Sequence, residues 1–273
     1  MKIIDAHLHL FPEDARSQAM ARAVGHENST DYLKEYYAEH DLVCGVVMGN
    51  GEITLDRHHY PAPFRYCIGL DSGYLETHHS LDEAAELVEG HLRRPECVGI
   101  KLYSGYNPTW LNDTMYRPFY ELAQSYQKPV AIHMGMTATP WARLKYAHPL
   151  TLDEVATQWH DVQFVMCHFG NPFLAEAAAV LEKNPNVCAD LSGLLEGVTD
   201  LDRYFQVQAG YVALLRTWMA YVDDYSRFLF GTDFPAVNIG NYIDFVRRLV
   251  PEEHHAAIFF DNANRVYQLG LKA

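Results

Sequence analysis

Eight short apolar runs, spread along the whole chain, constrain the fold more than any other feature of this sequence. Several runs are continuously apolar rather than alternating, as in parallel strands that are covered on both faces. Helix-like stretches separate them. Eight strands alternating with helices within 273 residues predict an α/β protein, a single-domain (β/α)8 TIM barrel over residues 1–273. The predicted strands are Ile3–Leu10, Leu42–Met48, Arg65–Leu70, Val98–Tyr103, Val130–Met134, Gln163–His168, Val187–Leu191 and Phe228–Gly231.

Helix start signals support this alternation. Ser80–Glu83 and Thr151–Glu154 both fit a capping box, and Asn171-Pro172 fits an N-cap followed by proline at the first helical position. An open doubly wound sheet would also alternate strands and helices. Such a sheet usually carries a glycine-rich phosphate loop after its first strand, whereas histidines follow the first strand here.

Two stretches depart from regular barrel units, Phe11–Thr30 and Leu194–Asp224. The second contains a helical pattern over Tyr204–Tyr221. Insertions after strands often lie over a barrel mouth and shape its pocket. An outer packing helix is the competing interpretation.

Composition excludes several classes of function. The net charge of −14 argues against binding to a phosphate backbone, which needs basic patches. No apolar run approaches the roughly 20 residues of a membrane span, so we expect no membrane insertion. We see no signal peptide at the N-terminus. Four of the five cysteines lie inside apolar strand-like runs and Cys97 opens another, which suits buried reduced thiols better than disulfides. We therefore expect a cytoplasmic protein. The cysteines are Cys44, Cys67, Cys97, Cys167 and Cys188.

Polar residues end several of the predicted strands. His7 and His9 lie two apart on strand 1, so their imidazoles point to the same side. His133 ends strand 5, His168 ends strand 6 and Asp233 follows strand 8. Barrel active sites lie at the carboxyl ends of the strands, so these five side chains are expected to meet at one mouth.

Each of these residues alone has an ordinary explanation, a hydrogen-bonded core histidine or a helix-capping aspartate. Together they would leave many polar groups buried, at about 1–3 kcal/mol for each unsatisfied group. A shared metal ion satisfies them at once, and the set predicts a metal site. A barrel that uses its metal only for structure is a further alternative, although structural zinc sites are closed and usually rich in cysteine.

These motifs resemble the amidohydrolase superfamily, and in particular its amidohydrolase-related branch. That branch includes decarboxylases of the aminocarboxymuconate-semialdehyde type and lactone hydrolases. The resemblance runs through the whole chain, and the candidate ligands occur in the family's order. The motifs that carry it are Asp5-Ala6-His7-Leu8-His9, Gly99-Ile100-Lys101, Ile132-His133, Cys167-His168-Phe169-Gly170, Gly231-Thr232-Asp233-Phe234-Pro235 and Asn262-Ala263-Asn264-Arg265.

The resemblance implies that His7, His9, His133 and Asp233 ligate a divalent metal, with Zn²⁺ the expected ion. His168 would then ligate a second metal or act as an acid/base and orienting group. It also implies catalytic roles for Asp233 and His168.

Lys101, inside strand 4, bears on the number of metals. In binuclear relatives this position carries a bridging carboxylate, often a carboxylated lysine, so Lys101 is a ligand only if it is carboxylated. An unmodified ammonium cannot ligate. The alternative is a lysine that pairs with a carboxylate or positions an anionic substrate. We expect one metal ion, and two metal ions remain the alternative.

The expected reaction is metal-assisted hydrolysis of a small carboxylated amide or lactone. A divalent cation lowers the pKa of bound water from 15.7 to about 7, and Asp233 can accept that water's proton. Non-oxidative decarboxylation of a small aromatic or muconate-type acid is the alternative, since the same ligand set serves both reactions.

The loops at the barrel mouth should determine which substrate binds. Arg143 and Lys145, after strand 5, could hold a substrate carboxylate, or could simply be solvated surface charges. The expected partner is a small anionic molecule, and a homodimer is left open. Tyr103, Trp141, His148 and Asn171 are further candidates for lining the pocket, and the pairs His58-His59, His78-His79 and His254-His255 are expected at the surface.

Overall fold

Eight parallel strands follow one another around a barrel in the order in which they occur along the chain. The computed structural model describes residues 1–71 and 80–273. The barrel closes between the last strand and the first, where Ala6 N donates to Phe230 O at 2.9 Å. The predicted (β/α)8 barrel is confirmed. The strands are β1 Ile3–Leu8, β2 Leu42–Met48, β3 Phe64–Leu70, β4 Cys97–Leu102, β5 Val130–Ile132, β6 Phe164–Met166, β7 Val187–Asp190 and β8 Phe228–Leu229.

Helices of the described residues cover the outside of the barrel. All eight strands are almost wholly buried, which explains why their sequences are apolar rather than alternating. The helices are α1 Ala15–Ala23, α2 Thr30–Glu39, α3 Leu81–Leu92, α4 Arg117–Tyr126, α5 Leu150–Gln158, α6 Leu174–Lys183, α7 Leu201–Val207, α8 Ala209–Val222, α9 Ile239–Leu249 and α10 Asn262–Val266.

The predicted helix starts have different outcomes. The capping box of α3 is confirmed, because Ser80 Oγ accepts from Glu83 N and the Glu83 carboxylate accepts from Ser80 N. The capping box at Thr151 is wrong. That residue lies inside α5, and its hydroxyl donates to His148 O at 2.8 Å instead of capping the helix.

The predicted N-cap at Asn171 is also wrong, because α6 begins at Leu174 with Phe173 as its N-cap. The segment before it is shaped by a tight turn. Asn171 N donates to His168 O at 2.9 Å, and the Asn171 carbonyl accepts from Met136 N at 2.8 Å. These backbone bonds keep Asn171 outside the helix.

The helical pattern predicted over Tyr204–Tyr221 corresponds to α7 and α8. Helix α8 packs against α6 and α9 in the outer layer, as expected of a packing helix. Among the described residues, no helix combines the length and the apolar character needed to cross a membrane. The five cysteines are buried free thiols, as predicted.

One predicted surface histidine is not at the surface. His58 is buried, and its Nε2 donates to Glu52 O at 2.9 Å. Its exposed neighbour His59 follows the prediction, and His254 and His255 are half-buried. The pair His78-His79 lies outside the described residues.

Candidate metal centre

The predicted strand-end residues meet at the carboxyl end of the barrel. His7 lies in β1 and His9 just beyond it, while His133 follows β5 and His168 follows β6. Asp233 follows β8, and its backbone N–H donates to His7 O at 2.8 Å. Strand ends far apart in sequence thus bring these side chains to one place.

The tautomer of His7 is set by a buried carboxylate. His7 Nδ1 donates to Asp190 Oδ2 at 2.8 Å, and neither side chain is exposed. Burial lowers the pKa of His7 to about 4, so its ring is neutral at pH 7. The ring lone pair therefore lies on Nε2, which is 3.4 Å from Asp233 Oδ1 and makes no hydrogen bond.

His9 faces the same oxygen. Its Nδ1 faces two acceptors, Asn50 Oδ1 at 2.9 Å and Met48 O at 3.1 Å, and so must carry the proton. His9 Nε2 is 3.4 Å from Asp233 Oδ1. The Nε2 atoms of two histidines and one carboxylate oxygen thus converge on one point.

His133 and His168 repeat this arrangement. His133 Nε2 donates to Met136 O at 3.0 Å, and His168 Nδ1 lies 3.2 Å from Ser192 O. In each neutral ring the nitrogen that donates carries the proton, so the other nitrogen, His133 Nδ1 or His168 Nε2, keeps a lone pair. These two nitrogens are 3.1 Å apart.

The donor set fits a divalent cation. Ligand atoms of His7, His9 and Asp233 all lie within 4.8 Å of one another. The His168 ring lies between those of His7 and His133, with ring centroids 4.9 and 4.8 Å away. Neutral imidazole nitrogens and a carboxylate are ligands that zinc prefers, and the orphaned His7 Nε2 is an atom that such an ion would satisfy.

Asp190, at the end of β7, is a residue that sequence reasoning missed. Besides His7, it accepts from His168 N at 2.8 Å, Ser192 N at 3.1 Å and Ser192 Oγ at 2.5 Å. Burial by itself raises the pKa of Asp190, but the contact with His7 holds it well below the usual range. Asp190 and Ser192 are polar residues at a strand end, so the criterion that selected Asp233 could have found them.

The backbone is strained where the site is built. His168 has φ 60°, Phe169 φ 46° and Asp233 φ 65°, all in the left-handed region that non-glycine residues seldom adopt. Gly193 has φ 62°, and a Cβ there would come within 3.0 Å of His168 Nδ1 and 3.1 Å of Asp233 Oδ2. Such strain clusters at functional sites.

Asp233 is ionised and faces the mouth. Its side chain is 26% exposed. Burial raises its pKa, but the nearby His168 and a hydrogen bond with His9 outweigh this and hold the pKa well below the usual range. The carboxylate is therefore available as a ligand or a proton acceptor at neutral pH.

Lys101 is buried within β4. Its Nζ donates to Cys167 Sγ at 2.8 Å and lies 5.3 Å from the centroid of the Tyr103 ring. The Tyr103 hydroxyl donates to Gly49 O at 2.7 Å, and its ring centroid is 6.4 Å from that of His9. Tyr103 thus forms part of the wall beside His9, with its hydroxyl engaged by the backbone.

Tyr106 is another residue that the sequence did not indicate. Its ring packs edge-on against His133 with centroids 4.9 Å apart, and its hydroxyl accepts from Ala138 N at 2.7 Å.

Of the predicted lining residues, Asn171 is half-buried, with a buried Oδ1 that makes no hydrogen bond. His148 packs against Phe173 with centroids 4.6 Å apart.

The charged loop after β5 lies at the surface. Arg143 is exposed, and Trp141 is 76% exposed. Lys145 Nζ lies 4.7 Å from the Tyr146 ring centroid and 5.6 Å from that of Trp110. The structure therefore holds Lys145 on an aromatic platform and leaves Arg143 and Trp141 facing solvent.

Comparison with known proteins decides the family. The sequence model of the Amidohydro_2 amidohydrolases matches residues 4–269. The chain belongs to the amidohydrolase family. Members of this family are metal-dependent enzymes, hydrolases and decarboxylases among them. No curated protein matches this amidohydrolase.

Solved structures share the fold of this amidohydrolase at low sequence identity. A 2,6-dihydroxybenzoate decarboxylase from Rhizobium has a TM-score of 0.69 and 14% identity, covering 99% of this chain and 100% of its own. A probable 2-pyrone-4,6-dicarboxylic acid hydrolase from Acinetobacter baumannii, with citric acid bound, has a TM-score of 0.66 and 17% identity, covering 98% and 100%. An amidohydrolase from Burkholderia multivorans with bound zinc has a TM-score of 0.65 and 15% identity, covering 98% of this chain and 100% of its own.

Proposed function

We propose that this amidohydrolase is a metal-dependent hydrolase of a small carboxylated amide or lactone. The observation that carries the proposal is the convergence of His7 Nε2 and His9 Nε2 on Asp233 Oδ1, at 3.4 Å each. Each histidine has its other nitrogen engaged as a donor. This is the arrangement expected of ligands oriented for a cation.

His7, His9, His133 and Asp233 would hold the cation, which we propose to be one Zn²⁺. When bound, a divalent cation supplies Lewis acidity and lowers the pKa of a water molecule to about 7. The preference for one ion over two is supported by Lys101, whose Nζ donates to Cys167 Sγ.

Asp233 would transfer protons during the reaction, and His168 would donate a hydrogen bond to the substrate. The ionised Asp233 carboxylate accepts a proton from the attacking water and returns it to the leaving group. In its protonated form, His168 donates from Nε2 to the carbonyl that is attacked, because Nδ1 remains held at Ser192. The strained backbone at both residues supports such a fixed orientation.

The substrate would be anionic. Arg143 is exposed on the loop after β5, and its guanidinium makes no hydrogen bond or ion pair with the described residues. Arginine suits bidentate contact with a carboxylate. In a protein with a net charge of −14 a local cation of this kind supports recognition of an acid. Because all five thiols are buried and reduced, we also propose a cytoplasmic location.

A substrate panel tests the reaction class. The zinc-loaded protein is assayed with carboxylated lactones, carboxylated amides and aromatic or muconate-type acids, in water enriched in ¹⁸O, while CO2 is followed. Hydrolysis predicts one ¹⁸O in the product and no CO2. Release of CO2 without ¹⁸O incorporation would instead assign decarboxylation, the reaction named for the Rhizobium structure.

A further inference from the structure

A buried carboxylate that the proposed chemistry does not use joins β1 to the segment after β8. Asp5 lies in β1 and is fully buried. Its Oδ1 accepts from Thr232 N at 2.9 Å and from His7 N at 3.2 Å. Its Oδ2 accepts from Thr232 Oγ1 at 2.7 Å and from the Tyr37 hydroxyl at 3.0 Å. Both oxygens of Asp5 are therefore bonded, and two of these four hydrogen bonds come from Thr232.

The Thr232 hydroxyl extends this contact past Asp233. While Thr232 Oγ1 donates to Asp5, it also accepts from Phe234 N at 3.0 Å. Thr232 and Phe234 are fully buried, so the loss of either bond would leave a buried polar group unpaired. The Thr232 N–H thus fixes the residue before Asp233, and the Thr232 hydroxyl fixes the residue after it.

Asp233 lies between these two bonds with a strained backbone. Its φ is 65°, a value that residues other than glycine adopt where their surroundings impose it. Asp233 N donates to His7 O at 2.8 Å. Phe234 O accepts from His9 N, also at 2.8 Å. In this conformation Asp233 Oδ1 lies 3.4 Å from Nε2 of each histidine, so the strained residue is the one whose side chain completes the proposed ligand set.

We propose that Asp5 and Thr232 are positioning residues, which hold Asp233 in the left-handed conformation that presents its carboxylate to the metal. The inference rests on the proposed metal site, although the hydrogen bonds that carry it involve no metal. Tyr37 provides a contrast at the same carboxylate. It lies on α2, and its hydroxyl bonds to Asp5 rather than to the segment 231–234. Tyr37 should therefore contribute to stability without setting the ligand geometry.

Competition with a chromogenic chelator measures zinc affinity and tests the positioning role. Thr232→Val removes the hydroxyl and nearly keeps the side-chain shape, so zinc should bind 10- to 100-fold more weakly. Thr232→Ser restores the hydroxyl and should bind zinc within a few-fold of the wild type. The matched control is Tyr37→Phe, which removes a hydrogen bond to the same Asp5 oxygen. It should unfold at a lower temperature than the wild type but keep the wild-type zinc affinity.

Two results would overturn the proposal. One is a Thr232→Val variant that binds zinc as tightly as the wild type, and the other is an equal loss of affinity in Tyr37→Phe. If Thr232→Val does not fold, Asp5→Asn is the second variant. An amide cannot accept all four of these hydrogen bonds, so zinc should again bind 10- to 100-fold more weakly. Wild-type affinity in Asp5→Asn would then contradict the positioning role.

Amide hydrogen exchange in the metal-free protein separates this inference from the proposed function. Phe234 N–H loses its acceptor in Thr232→Val, so its exchange should be roughly 5- to 10-fold faster than in the wild type and in Tyr37→Phe. Unchanged exchange at Phe234 would overturn the positioning role, whether or not zinc binds. A wild-type protein that binds no zinc would instead overturn the proposed metal site, and the exchange rates would still decide whether Thr232 holds the Asp233 segment.

Discussion

His7 and Asp190 form a hydrogen-bonded pair, Nδ1 to Oδ2 at 2.8 Å, in which neither side chain is exposed. This bond places the lone pair of His7 on the nitrogen that faces Asp233. The same carboxylate accepts from His168 N. Asp190 therefore orients one proposed ligand and one proposed acid/base group at once, without facing the substrate itself.

Asp190→Asn should weaken zinc binding 10- to 100-fold, since an amide cannot accept all the hydrogen bonds that this carboxylate accepts. Competition with a chromogenic chelator measures the affinity without reference to activity. Asp261→Asn, on an exposed aspartate, is the control. Unchanged zinc affinity in Asp190→Asn would show that the His7 tautomer does not depend on this contact.

Asp233→Asn should lower kcat by about 10²- to 10⁴-fold, because the amide cannot accept a proton. Steady-state rates with the substrate found in the panel measure this, and circular dichroism checks the fold. Asp223→Asn is the matched control, since Asp223 is exposed and also has a positive φ, 51°. Activity within a few-fold of the wild type would remove Asp233 from the proton-transfer role.

Gly193→Ala should reduce activity much more than Gly197→Ala. Both glycines have positive φ, 62° and 79°, so both substitutions cost about 1 kcal/mol of backbone strain. A Cβ at Gly193 would press on His168 and Asp233, whereas one at Gly197 meets nothing within 4 Å. Thermal unfolding measures the loss of stability from backbone strain, which both variants share. The kcat values measure the additional effect of the contact that only Gly193→Ala makes. Equal losses of kcat would contradict the contact.

Stability should fall as the pH decreases from about 6.5 to about 4. Burial lowers the pKa of His26 and of His91 to about 4. An unfolded histidine takes up a proton below about 6.5, so the unfolded state binds more protons in this window and is favoured as the pH drops. Each histidine accounts for up to about 3 kcal/mol, and neither contributes a pH dependence above pH 7.

Urea unfolding at pH 7.5 and pH 5 measures this pH dependence. His91→Gln should reduce the difference between the two midpoints, because the titrating group is removed. His160→Gln is the control, since the side chain of His160 is 79% exposed. A wild-type midpoint that does not change between the two pH values would contradict the prediction.

Local sequence was enough to place all eight strands, because strands buried on both faces are apolar throughout and need no partner to be recognised. It was also enough to choose His7, His9, His133, His168 and Asp233 as candidates, since they are polar residues at the ends of such strands. Helix starts were less predictable. Thr151 and Asn171 carry capping side chains, but backbone contacts from neighbouring turns decide where α5 and α6 begin.

The sequence by itself determined the barrel and the side chains that end its strands, because both follow from hydrophobic patterning along short segments. Only the tertiary structure decided which nitrogen of each histidine faces the centre. That choice depends on acceptors far away in the chain, such as Asp190 for His7 and Asn50 for His9. Hydrogen bonds between distant segments leave no periodic trace in a sequence. They exist only once the barrel has brought the strand ends together.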